Sequence, residues 1–292
     1  IGSEGYTLLP FRFHEINQNT ELIVNEMGDF LFAPKGTSRN IAYHKVDKSE
    51  SIYADLLSNY IISETPIPAL IDVMAARYRT KKGFLDNFTA LHIMVITLRC
   101  DHSCHYCQVS RQTENKTKYD MSKKDINNSL RLIFSSPSKF ITIEFQGGEP
   151  LLAFDKVKYC VEKALDMNKS ESKDINFVIC TNLSTIDEDI LYYCKDNNIL
   201  ISTSYDGPAF IHDINRPFSK GSSHETVLKG IDLCRKIIGD DNVSVLMTTT
   251  NLTLDYPIEI IDDYMKHGFR NIFLRPISPY GFATKSPKKN KY

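Results

Sequence analysis

The sequence predicts an α/β fold, in which a parallel β-sheet follows a smaller N-terminal module. From residue 91 onward, six β-rich runs alternate with helix-like segments, the pattern of parallel strands joined by right-handed crossovers. Residues 1–90 do not show this alternation. A chain of 292 residues with 42% hydrophobic content is also long enough to bury one large and one small core.

The first 90 residues are predicted to form a separate α+β module. The stretch ELIVNEMGDFLFAP predicts a hairpin, because two β-rich runs flank the turn residues Met27, Gly28 and Asp29. Weaker helical patterns follow in YADLLSNYII and PALIDVMAARYRT. Two roles stay open for this module: recognition of a peptide substrate through a strand edge, or packing that only covers the outside of the larger domain.

The larger domain, residues 91–292, supplies strands and helices in turn. The predicted strands are Leu91–Leu98, Phe140–Phe145, Asn176–Cys180, Leu200–Tyr205, Val243–Thr249 and Asn271–Arg275. The predicted helices are Ser122–Phe134, Phe154–Met167, Asp187–Cys194, Glu225–Ile238 and Pro257–His267. An open doubly wound sheet and a barrel both fit this order. In either fold the active site lies at the carboxyl ends of the strands.

Composition narrows the function classes. The net charge of −1 and the pI near 6.8 give no electrostatic reason to expect binding to nucleic acid or to an anionic membrane. No apolar run approaches the 18 or so residues of a membrane span, and no signal-peptide pattern is present. Three of the seven cysteines lie within eight residues, which favours metal ligands in a reducing cytosol over a disulfide framework. We therefore expect a cytoplasmic protein.

Both ends of the sequence indicate a piece of a longer protein. The chain starts with IGSEG, without Met, and stops in the polar stretch KSPKKNKY shortly after a predicted strand. We expect further sequence beyond Tyr292.

The most informative residues are three cysteines in LRCDHSCHYC, directly after the apolar run LHIMVITL. Cys100, Cys104 and Cys107 are separated by three residues and then by two, a spacing that suits a loop wrapped around a compact centre. Four soft ligands would close a zinc or iron–sulfur site, whereas three leave one position open. The alternative is a zinc site that takes its fourth ligand from His102 or His105.

A second motif follows forty residues later, in ITIEFQGGEPLL. A β-rich run ends in Gly147 and Gly148, which let a ligand approach the backbone closely. Glu149 adds a carboxylate, and Pro150 stiffens the turn.

With the two motifs in this order on successive strands, the sequence resembles the radical S-adenosylmethionine (radical SAM) superfamily. The resemblance implies a partial (β/α)6, TIM-like barrel. It also implies a 4Fe–4S cluster on Cys100, Cys104 and Cys107, whose open iron binds the amino and carboxylate groups of S-adenosylmethionine. A low-potential electron donor would reduce the cluster, and cleavage of the cofactor would yield a 5′-deoxyadenosyl radical that abstracts hydrogen.

The same resemblance assigns part of the cofactor site. Gly147, Gly148 and Glu149 match the motif that receives the ammonium group, and Tyr106 occupies the position near the adenine. Simple packing is the alternative for Tyr106. Asn182, in CTNLS just past the third strand, is a candidate for the ribose or its loop.

The stretch ISTSYDGPAFIHDINRP resembles the peptide-modifying branch of the superfamily, which includes sulfatase-maturing enzymes. Ser204 and Asp206 alternate with Tyr205, so we expect them to share one face near the end of the fourth strand. The resemblance gives Ser204 and Arg216 the cofactor carboxylate, for which a planar guanidinium is well suited. A surface ion pair is the alternative for Arg216.

Glu144 and Arg275 are further candidates for catalysis or substrate binding. Glu144 and Gln146 alternate with apolar neighbours on the second strand, and Thr248 and Arg275 sit near other strand ends. Charged residues at the ends of barrel strands typically line a site. For Arg275 a structural ion pair stays open as the alternative.

The remaining cysteines carry less information. Cys160, Cys194 and Cys234 lie on apolar stripes at helical spacing, which predicts buried thiols. Cys180, at a strand end, is ambiguous. None has the paired spacing of the auxiliary-cluster (SPASM) domain that many peptide-modifying relatives carry.

Across its length the chain most resembles the His-Xaa-Ser system radical SAM maturases. The stretches that carry this resemblance are LLPFRF, YRTKKGFL, TLRCDHSCHYCQVSRQ, IEFQGGEPLL, ISTSYDGP, LMTTT and FRNIFLRPISPYGF. The resemblance implies that the substrate is a ribosomally made precursor peptide with His-Xaa-Ser repeats. Two alternatives stay open: a radical SAM enzyme that acts on a small molecule, and a catalytically silent iron–sulfur binding partner.

Overall fold

The computed structural model describes residues 5–65, 67–87, 89–112, 115–278 and 280–285. Residues 286–292 of the KSPKKNKY tail therefore lie outside the described part, as do residues 1–4. The chain divides into two compact units, Ile1–Asn87 and Phe88–Tyr292.

The first unit is an antiparallel α+β module with its own apolar core. Its three-stranded sheet has the order β2-β3-β4, and the predicted hairpin is formed by β3 and β4. A short pair, β1 and β5, joins the two ends of the module. The strands are β1 Thr7–Leu8, β2 Phe11–Glu15, β3 Thr20–Asn25, β4 Phe30–Pro34 and β5 Ile62–Ser63, and the helices are α1 Thr37–Ala42, α2 Ser51–Ser58 and α3 Ile67–Lys82.

One helical prediction in this unit is partly wrong. The run YADLLSNYII stays helical only as far as Ser58. Tyr60 then adopts a left-handed φ of 53°, and Ile62 pairs with Leu8 in the β1–β5 ladder. The apolar periodicity of the run could not reveal this pairing, because its partner lies more than fifty residues away.

The second unit contains six parallel strands in consecutive order, from β6 to β11. They are β6 Leu91–Thr97, β7 Phe140–Gly147, β8 Asp174–Thr181, β9 Ile199–Ser204, β10 Val243–Thr249 and β11 Phe273–Pro276. A doubly wound sheet reverses its strand order at a switch point, and this sheet does not. The sheet is therefore the partial (β/α)6 barrel, and the predicted α/β class is confirmed.

The helices of this unit connect successive strands. They are α4 Lys116–Tyr119, α5 Lys123–Phe134, α6 Phe154–Glu171, α7 Glu188–Asp196, α8 Ala209–Asn215, α9 Ser223–Ile238, α10 Asn251–Leu254, α11 Pro257–Lys266 and α12 Phe282–Lys285. The five longer helices that were predicted are all present, with ends shifted by a few residues. Among the described residues, no helix combines the length and the apolar character that a bilayer span requires.

Side-chain alternation along each strand separates the core from the concave face of the sheet. On β7, Ile143 and Phe145 are fully buried among the residues of the helices, whereas Glu144 and Gln146 are only partly buried and line a cavity. This two-residue period directs polar side chains from several strands into one space. The same burial confirms the prediction for Cys160, Cys194 and Cys234, which are completely buried in the helix-side core.

Candidate functional site

A cavity of about 400 Å³ lies at the carboxyl ends of the parallel strands. Every strand of the second unit, or the loop that follows it, contributes to its lining. Most of the residues predicted for the site line this cavity: Cys100, Cys104, Tyr106, Cys107, Glu144, Gly147, Gly148, Glu149, Asn182, Ser204, Arg216 and Arg275. The structure thus gathers residues that are up to 175 positions apart in the sequence.

The cysteine loop begins at a buried ion pair. Arg99 donates from Nε to Asp120 Oδ1 at 2.6 Å and from Nη2 to Asp120 Oδ2 at 2.8 Å. Its backbone N–H donates to Thr97 Oγ1 at 3.0 Å. Bidentate pairing of this kind fixes orientation as well as position, so the first residue before Cys100 is held rigidly against the end of β6.

The three thiols of the loop are available to a metal centre. All three cysteines are free and partly exposed to the cavity. Their ligand atoms do not all lie within 4.8 Å of one another, and a multi-iron cluster, which spreads its thiolates over several metal ions, accommodates such a spacing.

The zinc alternative lacks its fourth ligand at His102. The Nδ1 atom of this ring lies 2.9 Å from Asp101 Oδ1, and Nε2 lies 2.9 Å from Ser223 Oγ. The ring stacks on Phe218 with a centroid distance of 4.5 Å. Both nitrogens are therefore engaged in hydrogen bonds that orient the loop.

Burial determines the protonation state of the three free thiols. It raises the pKa of Cys100 to about 12, and it also raises the pKa of Cys104 and Cys107. The thiols consequently stay protonated at neutral pH until a metal centre displaces the protons.

The glycine motif is bonded directly to the cysteine loop. Gly148 N–H donates to Thr97 O at 2.8 Å, and Glu149 N–H donates to Arg99 O at 2.7 Å. A Cβ on Gly148 would lie 2.0 Å from Arg99 O, and Gly147 has a φ of 133°. Only glycine allows this backbone approach, so the two sequence motifs form one structural unit.

The Glu149 carboxylate links the glycine motif to the end of the next strand. It accepts hydrogen bonds from Thr181 Oγ1 at 2.6 Å, from Asn182 N at 2.7 Å and from Leu151 N at 3.0 Å. Burial is the larger effect and raises its pKa to about 7, although the hydrogen bonds act in the opposite direction. Glu149 thus joins the ends of β7 and β8, and near neutral pH it is divided between its two protonation states.

Asn182 ties the third strand to the cysteine loop. Its Nδ2 donates to Asp101 Oδ1 at 2.8 Å. Although burial acts in the opposite direction, hydrogen bonds from His102, Ser184 and Asn182 lower the pKa of Asp101 to about 2. A fixed negative charge therefore lies one residue after Cys100.

Arg216 is the buried cation of the site. It is 7% exposed, and its Nη1 donates to Tyr106 Oη at 2.9 Å. Tyr106 in turn donates to Asp206 Oδ2 at 2.7 Å. Asp206 also accepts from Asn215 Nδ2 at 3.2 Å and from Thr248 N at 3.1 Å. This depth and partnership rule out the surface ion pair that was the alternative for Arg216.

The charge of Arg216 is maintained despite its burial. Burial by itself would lower its pKa, but Cys104, Tyr106 and Asp206 raise it well above the ordinary value. Arg216 lines the cavity, so the site offers a permanent positive charge beside the cysteine loop.

Asp206 lies outside the cavity lining. The strand β9 ends at Ser204, and the chain turns at Gly207, which has a φ of 97°. Ser204 lines the cavity, whereas Asp206 is fully buried in the network behind it. Strict alternation from Ser204 could not predict this, because the strand had already ended.

A polar group lies farther along the concave face. Cys180 Sγ donates to Glu144 Oε1 at 3.2 Å, and Gln146 Nε2 donates to the same oxygen. Arg275, Ser202 and Thr248 line the same cavity. A carboxylate, an amide, a thiol and a guanidinium can together hold amide or carboxylate groups of a substrate.

Sequence reasoning missed several residues of the lining. Among them, Thr203 is 1% exposed, and its Oγ1 has no hydrogen-bond partner among the described residues. Cys180, which the sequence alone does not assign, also lines the cavity. The polar run Ser202–Ser204 within a buried strand was the available signal for Thr203, since an apolar strand would not need three hydroxyl groups.

Comparison with known proteins adds a family assignment. The Radical SAM superfamily model matches residues 94–264, more than half of the chain. The match covers the cysteine loop, the glycine motif and Arg216.

Two curated relatives and one solved structure are similar over much of this region. An uncharacterized protein of Methanocaldococcus jannaschii is 32% identical over 190 residues, which cover 64% of this chain and 62% of the relative. A cysteine-type anaerobic sulfatase-maturating enzyme of Clostridium novyi is 28% identical over 177 residues, which cover 59% and 46%. The structure of native anSMEcpe with bound AdoMet and Cp18Cys peptide aligns with a TM-score of 0.54 and 22% identity, over 64% of this chain and 50% of that one.

The aligned chain spans only about half to three fifths of the length of these relatives. At 22% identity, the structural alignment speaks for the fold alone.

Proposed function

Since this chain belongs to the radical SAM superfamily, whose members use a 4Fe–4S cluster and S-adenosylmethionine, we propose that it is an enzyme that modifies a ribosomally made peptide by hydrogen abstraction. The observation that carries the proposal is the convergence of three free thiols, the glycine motif and a buried arginine on one cavity. A structural metal site would need no such cavity.

The residues present fit these cofactors. Cys100, Cys104 and Cys107 would hold the cluster, because three thiolates leave the position at which a cofactor binds. When both cofactors are bound, they supply a 5′-deoxyadenosyl radical that removes a hydrogen atom from an unactivated carbon.

The protein's own groups would bind and orient the amino-acid end of S-adenosylmethionine. Arg216 offers a positive charge for the carboxylate, and Ser204 offers a hydroxyl on the same rim. The backbone around Gly147 and Gly148, with the Glu149 carboxylate, offers acceptors for the ammonium group. Such opposite charges on two sides of one cavity fit a zwitterion.

Asn182, Tyr106 and Asp206 would act mainly as positioning residues. Asn182 is bonded to Glu149 and Asp101, and Tyr106 connects Arg216 with Asp206. These contacts keep the charged groups fixed before the cofactor binds, which lowers the cost of ordering them. Tyr106 also lines the cavity.

The substrate end of the cavity is proposed to lie at Glu144 and Arg275. Both line the concave face farther along the strands, beside Cys180 and Gln146. A carboxylate and a guanidinium can accept and donate hydrogen bonds with a peptide backbone or a polar side chain. We assign substrate contact to them and leave the catalytic proton acceptor unassigned.

The peptide class rests on similarity. Curated relatives include sulfatase-maturating enzymes, and the aligned solved structure holds AdoMet and a peptide. The finer proposal, a precursor with His-Xaa-Ser repeats, rests on the stretches that resemble the His-Xaa-Ser maturases. We also propose a low-potential electron donor as partner and, since all seven cysteines are free thiols, the reducing cytosol as the compartment.

A peptide assay tests the proposal. Cluster-loaded, reduced protein is incubated with S-adenosylmethionine and a synthetic peptide that contains several His-Xaa-Ser repeats, and the peptide mass is measured. We expect a mass change in this peptide and none in a matched peptide with scrambled repeats. Cofactor cleavage without any change in either peptide would contradict the peptide substrate and favour a small molecule.

A further inference from the structure

A second cluster of metal-ligating side chains lies outside the cavity, on the helices that cover the sheet. His224 lies in the first turn of α9, Asp263 in the last turn of α11, and His267 is the residue that follows α11. One ligand atom from each lies within 4.8 Å of the other two. Among the described residues, this is the group of three that meets that criterion.

The individual distances leave room for an ion. His224 Nε2 lies 3.9 Å from Asp263 Oδ2, and His267 Nε2 lies 3.7 Å from Asp263 Oδ1. Both distances are too long for hydrogen bonds. Two donors with bonds of about 2.0–2.1 Å to one ion can lie up to about 4.2 Å apart. The carboxylate therefore lies between the two imidazoles, close enough to each of them to share one metal ion. The ligand atoms of the two histidines lie within 4.8 Å of each other, and the two rings would move slightly closer when they bind the same ion.

The surroundings match a metal site in two other respects. All three side chains are largely buried, with 12%, 13% and 25% of His224, Asp263 and His267 exposed. The described ion-pair partners of the Asp263 carboxylate are these two histidines, so a divalent cation would place a full positive charge next to this carboxylate.

The side chain of Tyr205 contacts two of these three residues. Its hydroxyl donates to Asp263 Oδ2 and lies 3.0 Å from His224 Nε2. An ion bound between His224 Nε2 and Asp263 Oδ2 would therefore either displace this hydroxyl or take its oxygen as a further ligand. Hydrogen bonds to ligating carboxylates are a regular feature of metal sites.

We propose that His224, Asp263 and His267 bind one divalent transition-metal ion, separate from the cysteine-bound cluster. Two imidazoles and one carboxylate suit Zn²⁺, and they leave a fourth position for water. The ion would join the start of α9 to the end of α11. Tyr205 directly precedes Asp206, whose carboxylate accepts from Tyr106, so the ion would also hold the segment behind the proposed cofactor site.

The test uses protein with its iron–sulfur cluster reconstituted, so that the three cysteines are occupied. Zn²⁺ is titrated anaerobically by calorimetry, and zinc and iron are counted after desalting. We expect one zinc ion per chain in addition to the cluster iron. In Asp263→Asn and His267→Gln, each of which removes one ligand, we expect at least about a tenfold loss of affinity.

Two matched controls leave the three proposed ligands intact. Asp262→Asn changes the exposed neighbour of Asp263, and His14→Gln changes an exposed histidine of the first unit; both should bind zinc like the original protein. Thermal unfolding adds a second measurement, because Zn²⁺ should raise the midpoint of the original protein and of the controls but not of the ligand variants. Absence of zinc binding by the original protein, or equal binding by Asp263→Asn and His267→Gln, would overturn the proposal.

Discussion

At the scale of single residues, Arg216 carries the most testable assignment. Its guanidinium is buried, charged and held by Tyr106 at one nitrogen. Replacement by Lys would keep a positive charge but lose the planar fork. Loss of a charge-assisted hydrogen bond in a shielded site costs about 1.5–3 kcal/mol of binding free energy. We therefore expect the dissociation constant of S-adenosylmethionine to rise roughly tenfold to hundredfold.

Equilibrium dialysis of cluster-loaded Arg216→Lys measures this constant, and iron content should stay unchanged. Arg270→Lys is the matched control, because Arg270 is exposed. Equal cofactor affinity in both variants would show that a residue other than Arg216 binds the carboxylate of S-adenosylmethionine.

Cys104 allows an equally direct prediction. Cys104→Ala should lose the iron–sulfur absorption and most of the bound iron, because a cluster with two thiolates left is no longer held. Cys194→Ala makes the same chemical change in the helix-side core, where the thiol contacts no cavity, and it should keep the full cluster. Iron and sulfide analysis compares the two. Normal iron content in Cys104→Ala would show that the ligand assignment is wrong.

Much of the site could be predicted at this scale, because the chemistry lies in short motifs. Cys100, Gly148 and Arg216 each stand in a recognisable stretch. The behaviour of Asp206 and His102 could not be predicted, since their partners are about one hundred residues away. Asp206 contacts Tyr106, and His102 contacts Ser223. Only the folded barrel brings these pairs together.

At the scale of elements, the contact between the ends of β6 and β7 is the critical one. Gly148 packs so closely on Arg99 O that an added Cβ would lie 2.0 Å from it. The backbone must therefore separate in Gly148→Ala. Overpacking of this kind costs about 1–3 kcal/mol, which corresponds to a fall in melting temperature of roughly 2–12 °C for a domain of this size.

Calorimetry or circular dichroism measures the melting temperature, and iron analysis shows whether the loop still takes up a cluster. Gly83→Ala is the control, because a Cβ at Gly83 meets no atom within 4 Å. We expect Gly83→Ala to retain both its stability and its iron. If Gly148→Ala behaves in the same way, the close packing of the two motifs is not required.

Element prediction succeeded where local signals and tertiary packing agree. The strand Val243–Thr249 was predicted with the observed bounds. Helix α6 continues to Glu171, four residues beyond the predicted end at Met167. It ends only at Ser172, whose left-handed φ of 53° terminates the helical conformation. The failure at Tyr60 and Ile62 has the opposite cause, since a distant strand captured residues that had a helical pattern.

At the scale of the whole molecule, the two units have separate apolar cores. We predict that the first unit recognises the peptide and takes no part in radical formation. Its sheet has β2 and β4 as outer strands, and their unpaired backbone groups could pair with an extended peptide. The alternative is a unit that only covers the barrel.

A protein of residues 88–292 separates the two roles. We expect it to cleave S-adenosylmethionine without peptide but to lose binding of the precursor, measured by fluorescence anisotropy of a labelled peptide. Cofactor cleavage serves as the folding control. Unchanged peptide binding by residues 88–292 would exclude the recognition role.

The order of the strands was the part of the fold that alternation alone left open. Six β-rich runs were visible in the sequence, but a doubly wound sheet and a barrel share that pattern. The consecutive parallel order from β6 to β11 decided between them. The resemblance to the radical SAM superfamily independently favours the barrel.

Cleavage of S-adenosylmethionine is the most direct test of the central claim. The protein is reconstituted anaerobically with iron and sulfide, reduced, and incubated with S-adenosylmethionine, and the products are separated by chromatography. The cavity, its three thiols and Arg216 predict 5′-deoxyadenosine and methionine in equal amounts, with none from the Cys104→Ala variant. Protein that holds four irons per chain and binds the cofactor, yet forms neither product with or without peptide, would contradict the account.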